Sequence, residues 1–158
     1  MGCVMATMLG YMLTWTTYGT WLQGDERGYV KDGVILPANE HLEEANRKQQ
    51  VQDAVRLSDV QQQAVREAIL KEAALREQKV CAISVQATHV HVVVRQTGEP
   101  IDKMVAYYKT AARLALQEKG HTGRLWTRGY DKRLCFDDAS LTAKIEYVES
   151  HNHAVNPR

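Results

Sequence analysis

The chain has 158 residues, of which 44% are hydrophobic, so it is large enough for one domain with a sizeable core. Its net charge of +1 does not by itself indicate a nucleic-acid partner, and no apolar run reaches transmembrane length. Three cysteines without a C-x-x-C motif argue against a disulfide framework or a zinc ribbon and favour a cytoplasmic protein.

The first third of the chain predicts a strand followed by a polar insertion. Residues 11–18 are rich in aromatic and β-branched side chains, a composition typical of a strand. Residues 24–57 are polar and punctuated by glycines and a proline, and we expect a short helix near residues 39–53. We therefore interpret residues 1–158 as one domain with an insertion at about residues 24–57.

A helix and two strands are predicted next. Ser58 and Gln61 have the S-x-x-Q spacing of a capping box, which predicts a helix from here to about residue 79. Residues 80–86 predict a strand. After a short break, the β-branched residues 88–95 predict another strand. The two strands are close enough in the chain to pair as a hairpin.

Two histidines lie in the second of these strands, in the motif His89-Val90-His91. Alternate side chains of a strand point to opposite faces, so both imidazoles share one face while Val90 enters a core. Two imidazoles on a rigid strand form half of a divalent-metal site, which still needs a third side chain or oxygen ligands. Ordinary sheet histidines have the same spacing, so the pair alone does not establish a metal site.

The second half of the chain predicts two more helices with strand structure between them. Residues 100–120 predict a helix, with a proline near its start and a glycine at its stop. Residues 125–136 predict one or two strands, and Asp137 or Asp138 would cap a last helix over residues 139–152. The order β-α-β-β-α-β-α favours an α+β fold in which helices pack on an antiparallel sheet.

The last predicted helix carries a tyrosine and a histidine side by side. Tyr147 and His151 are four residues apart and are therefore neighbours on the flank of its apolar stripe. If this helix packs over the histidine strand, His151 becomes the third metal ligand beside Tyr147. A metal there would polarise a phosphodiester, which the tyrosine oxygen could attack to give a covalent phosphotyrosine. A half-buried tyrosine and a surface histidine without function fit the same pattern.

A basic patch precedes this helix. Within residues 121–133 a single acidic residue accompanies four basic ones, which are Arg124, Arg128, Lys132 and Arg133. These side chains are candidates for contacts to DNA phosphates, as are Lys109 and Arg113 on the preceding helix. A solvated surface turn has the same composition, so charge alone does not decide between the two interpretations.

Taken together, these motifs resemble the HUH endonucleases, and among them the single-tyrosine HUH transposases, particularly the REP-associated tyrosine transposases. His89-Val90-His91 is similar to the His-hydrophobic-His motif. Residues 125–133 (LWTRGYDKR) are similar to the family's Leu-Trp, Gly-aromatic and Asp-Arg segment, and Tyr147 follows at the spacing of its nucleophilic tyrosine. The opening TWTTYGTW also resembles some members, whereas residues 24–57 and the extreme ends match least.

The resemblance implies a ferredoxin-like HUH fold and a metal-dependent enzyme that cuts and rejoins single-stranded DNA near a hairpin. It implies that Tyr147 joins the 5′ phosphate and that His89 and His91 hold Mg²⁺ or Mn²⁺. The family's third ligand is commonly Gln or Asn, four residues after the tyrosine. Here that position is His151, followed by Asn152, and both remain candidates. The final residues also depart from the Asn-Pro-Val segment and tail of many members.

Two other functions remain open from the sequence. A binding module would keep the fold and the recognition of DNA hairpins without catalysis. A metal phosphoesterase would use the histidines without a covalent tyrosine, although such enzymes usually carry a second paired-histidine motif. The resemblance also leaves open whether the protein is a mobile transposase or a domesticated relative. It leaves open, too, whether the tyrosine helix packs on its own sheet or on that of a second copy in a homodimer.

Overall fold

An antiparallel sheet flanked by helices forms the part of the chain that the computed structural model describes, which comprises residues 7–20, 29–31, 34–36 and 53–153. In chain order the elements are β1 (Gly10–Thr16), β2 (Tyr29–Lys31), β3 (Val34–Leu36), α1 (Asp59–Leu75), β4 (Val80–Val85), β5 (His89–Arg95), α2 (Ile101–Glu118), β6 (Asp131–Cys135) and α3 (Asp138–His153). The main sheet has the strand order β4-β5-β1-β6 with antiparallel neighbours throughout. The predicted α+β fold is confirmed.

Helix α1 begins where the capping box predicts. The side chain of Ser58 accepts a hydrogen bond from the Gln61 backbone at 3.2 Å, and the Gln61 side chain accepts one from the Ser58 backbone at 2.9 Å. The helix ends four residues earlier than predicted because Glu77 adopts a left-handed φ of 56°. The N–H groups of Glu77 and Gln78 then bond back into the last helical turn, as in a Schellman motif.

The strand prediction for residues 125–136 is correct only for its second half. Residues 131–135 form β6, whereas Trp126 makes an isolated bridge to Thr17 at the end of β1. Within the insertion, β2 and β3 form a two-stranded sheet that the sequence analysis did not predict. The helix expected near residues 39–53 falls almost wholly outside the described residues. None of the helices within the described ranges has the length and hydrophobicity to cross a bilayer.

The sheet separates two cores. One face meets α1 and α2 in the larger core, whose largest fully buried side chains include Trp15, Tyr11, Tyr108, Leu13 and Ile69. The other face meets α3 in a smaller core that consists of Met12, Ala82, Val93, Cys135, Leu141 and Val148. The valines of β5 alternate between these cores, as predicted, so the histidines of β5 lie on the face that carries α3.

Candidate metal centre and tyrosine

The two histidines of β5 lie side by side on the α3 face of the sheet. Their ring centroids are 4.9 Å apart, and His91 is only 6% exposed. On the neighbouring strand β1, Thr14 lies opposite His91 and Thr16 lies opposite His89. The prediction that both imidazoles share one face is confirmed, and the position of β5 inside the sheet fixes their backbone.

Helix α3 packs over this strand through Leu141 and Val148, which are both buried. The packing brings His151 to 4.8 Å from His91 and 6.4 Å from His89, measured between ring centroids. One potential ligand atom from each of the three histidines lies within 4.8 Å of the others. The two histidines of β5 and the histidine of α3 therefore meet in one cluster, as the sequence predicted for a helix packed over this strand.

Asn152, the other candidate for third ligand, is directed elsewhere. Its side-chain amide donates a hydrogen bond to the carbonyl of Ile83 on β4 at 2.9 Å. The same carbonyl accepts from Arg66 of α1 at 3.1 Å. The amide thus ties the end of α3 to the edge strand, and His151 is the residue that joins the histidine cluster.

Each histidine of the cluster has a partner for its Nδ1 atom. The hydroxyl of Thr14 lies 2.8 Å from Nδ1 of His91, and that of Thr88 lies 3.1 Å from Nδ1 of His89. Nδ1 of His151 lies 2.9 Å from the carbonyl oxygen of Tyr147, which can only accept, so this nitrogen carries a proton. In neutral His151 the lone pair is consequently on Nε2, the atom that a metal would need.

The surroundings of His91 favour its neutral form. Burial, with a further contribution from the neighbouring His89 and His151, lowers the pKa of His91 to about 4. A neutral imidazole is the form that binds metal ions, whereas a protonated one repels them. Three converging imidazoles, each with a hydrogen-bond partner at Nδ1, fit a divalent cation.

Tyr147 lies at the open side of this cluster. Its ring centroid is 4.5 Å from that of His151 and 5.6 Å from that of His91. The side chain is 47% exposed, so it borders solvent as well as the histidines. Since α3 packs on the sheet of its own chain, the tyrosine and all three histidines come from one molecule.

The predicted DNA-contact residues are placed on different surfaces. Cross-strand partners share a face, so Arg133, opposite Met12, lies on the histidine face, whereas Lys132, opposite Leu13, lies on the other. Both side chains are exposed. The six basic residues therefore do not form one continuous patch within the described structure.

The remaining candidates lie at the end of β1 and on α2. Arg124 and Arg128 are exposed and flank residues 125–127, which bond to the end of β1 beside His89. Arg113 is exposed on α2, the helix that packs on the opposite face. The ammonium of Lys109 is half-buried and donates hydrogen bonds to the carbonyls of residues 127 and 129, at 3.0 and 2.7 Å.

Sequence reasoning missed the residues that hold the histidines in place. Thr14 lies in the predicted first strand, but nothing in the sequence sets the register that brings it opposite His91. Thr88 precedes His89 directly, so its proximity could have been noted from the chain alone. Lys109 was predicted as a DNA contact, and the structure adds a local role, since its ammonium holds the segment that follows Trp126.

Comparison with known proteins addresses the fold. No protein-family model and no curated protein matches the chain. Its structure is similar to that of a REP-associated tyrosine transposase bound to a REP hairpin, with a TM-score of 0.56 and 13% identity over 98% of this chain and 75% of that one. A candidate transposase from Deinococcus radiodurans matches with a TM-score of 0.49 and 16% identity, over 96% of each chain. The chain therefore has the fold of a REP-associated tyrosine transposase, the family that its sequence resembles.

Proposed function

We propose that this protein is an endonuclease and strand transferase for single-stranded DNA, with Tyr147 as its nucleophile. The observation that carries the proposal is the convergence of this half-exposed tyrosine with three imidazoles on one face of a sheet. The similar fold of a transposase solved with a REP hairpin supports DNA as the substrate. A single strand that carries a hairpin is accordingly the proposed target.

His89, His91 and His151 would hold the divalent cation, for which the resemblance implies Mg²⁺ or Mn²⁺. The set contains three nitrogen donors, and Mg²⁺ prefers oxygen ligands, so we expect tighter binding of transition-metal ions such as Mn²⁺. When bound, such a cation supplies Lewis-acid polarisation of the scissile phosphate. The role of the three histidines is to hold it beside Tyr147.

The proposed chemistry is one exchange of phosphorus–oxygen bonds. The Tyr147 oxygen forms a bond to phosphorus while the bond from phosphorus to the 3′ oxygen breaks. The phenol loses its proton and the leaving 3′ oxygen gains one, so the products are a 5′-phosphotyrosine and a free 3′ hydroxyl. Attack of another 3′ hydroxyl on the phosphotyrosine reverses the step and rejoins the strands.

Rigid packing of α3 suits Tyr147 to this role. Val148, the next residue, is fully buried against the sheet, and Leu141 is 4% exposed two turns earlier. The helix therefore presents Tyr147 from a fixed backbone, which lowers the entropy cost of aligning the nucleophile with a bound phosphate.

We propose Arg124, Arg128 and Arg133 as phosphate contacts, because they lie beside or on the histidine face.

A denaturing gel tests the proposal directly. Protein is mixed with labelled single-stranded DNA that carries a hairpin, in the presence of Mn²⁺, and a covalent complex is detected as a slowly migrating band. We expect the band for wild type and for Tyr107→Phe, and its loss in Tyr147→Phe. Tyr107 is a suitable control because it lies on α2, at the opposite face of the sheet, where it stacks with Arg76.

The outcomes distinguish the competing functions. A band that persists in Tyr147→Phe shows that this residue is not the nucleophile. Hairpin binding in a native gel without any covalent band favours the non-catalytic binding module. Cleavage without a covalent band in any variant favours a metal phosphoesterase that uses water.

A further inference from the structure

We infer that Thr14 is a positioning residue, whose hydroxyl orients His91 so that Nε2 faces the divalent cation. The inference rests on the proposed metal site and adds a residue of another strand to it. Thr14 lies on β1 directly opposite His91, and its Oγ1 atom is 2.8 Å from Nδ1 of the imidazole. The two residues are 77 positions apart in sequence, so the fold alone makes this contact.

The direction of this hydrogen bond determines which nitrogen is left for the cation. A threonine hydroxyl can accept a hydrogen bond from a protonated Nδ1 or donate one to an unprotonated Nδ1. Only the first arrangement leaves the lone pair of a neutral imidazole on Nε2. Cation binding at Nε2 and the Thr14 hydrogen bond therefore support each other, as outer partners of metal-bound histidines generally do.

Burial makes His91 depend on this partner. The residue is 6% exposed, so solvent offers little replacement for a lost hydrogen bond. Without the hydroxyl, Nδ1 would be a buried polar atom with no partner, and rotation of the ring toward another arrangement would cost less. The Nδ1 atoms of the other histidines have partners that are near in sequence, the adjacent Thr88 for His89 and a carbonyl of its own helix for His151.

Isosteric substitution separates this role from simple packing. Thr14→Val keeps the shape and removes the hydroxyl, whereas Thr14→Ser keeps the hydroxyl and removes a methyl group. Thr16→Val is the matched control, because Thr16 is two residues away on the same strand and the same face, opposite His89. Calorimetric titration with Mn²⁺ in the absence of DNA measures the affinity of each variant without relying on activity.

We expect Thr14→Val to weaken Mn²⁺ binding about 10–100-fold, the range typical of lost outer partners, and Thr14→Ser to restore most of the affinity. Thr16→Val should bind like wild type. Equal affinity of Thr14→Val and wild type would overturn the role of Thr14 while leaving the metal site intact. Absence of binding by wild type would instead overturn the metal site, and this inference with it.

A spectroscopic measurement covers the case in which Thr14→Val does not fold. Wild-type protein is loaded with Zn²⁺, which is diamagnetic, and the ring nitrogens of His91 are observed by ¹⁵N NMR. We expect a metal-bound Nε2 and a protonated Nδ1. A metal-bound Nδ1 would overturn the inference, because that atom could not then share a proton with the Thr14 hydroxyl.

Discussion

Arg133 and Lys132 test the proposed DNA path because they are adjacent on one strand and carry the same charge. Arg133 lies on the histidine face, opposite Met12, and Lys132 lies on the face that meets α1 and α2, opposite Leu13. We expect Arg133→Ala to weaken DNA binding and Lys132→Ala to leave it close to wild type. Each variant loses one positive charge, so the general electrostatic attraction changes equally in both.

The expected magnitude follows from the geometry of the sheet. Strands β6 and β5 are separated only by β1, which places their backbones about 10 Å apart. Nε of Arg133 donates to the Asp131 carboxylate at 3.0 Å, which leaves the terminal nitrogens of the guanidinium for a phosphate. A strand bound beside His91 thus passes within reach of Arg133. Loss of one phosphate contact should reduce the slope of log K against log salt by about 0.7–0.9.

Fluorescence anisotropy with a labelled hairpin, recorded between about 50 and 200 mM salt, gives this slope for each protein. The Arg133→Ala slope should be shallower than that of wild type, and the Lys132→Ala slope should match wild type. Equal losses in both variants, or a larger loss in Lys132→Ala, would refute the assignment of the DNA strand to the histidine face.

Four further substitutions probe the frame and the ligands of the site. Gly10→Ala should cost about 1–3 kcal/mol in unfolding free energy, measured by urea denaturation, because the new Cβ would lie 2.6 Å from the Val94 carbonyl oxygen. Lys109→Met removes two hydrogen bonds to backbone carbonyls. It should also lower the unfolding free energy by about 1–3 kcal/mol in the same assay. His151→Ala should weaken Mn²⁺ binding far more than Asn152→Ala does, as measured by calorimetry; equal losses would contradict the choice of His151 as ligand.

The sequence predicts the fold well where short-range physics decides. The capping box at Ser58 sets the start of α1, because both of its hydrogen bonds lie within four residues. The end of α1 was misjudged because Glu77 occupies a left-handed position that usually holds glycine. Residues 125–127 were mistaken for a regular strand because their conformation depends on distant partners, the end of β1 and the ammonium of Lys109.

The same distinction applies to the site. The shared face of His89 and His91 follows from the two-residue period of a strand, and the pairing of Tyr147 with His151 follows from the helical period. Their meeting depends on how α3 crosses the sheet, which only the family resemblance implied before the structure. The position of Thr14 needed the strand register, which no local pattern in the sequence specifies.

The two ends of α3 explain how one helix can hold the tyrosine and a histidine against a strand. Near its start, Leu141 approaches so closely that a Cβ at position 10 would lie 3.1 Å from its Cδ1 atom, and glycine leaves that space open. Near its end, the amide of Asn152 bonds the Ile83 carbonyl of the edge strand. A helix fixed at two points cannot slide or turn without losing one of them. The distance of Tyr147 from His91 is consequently set by the backbone of the sheet, as the nucleophilic role proposed for Tyr147 requires.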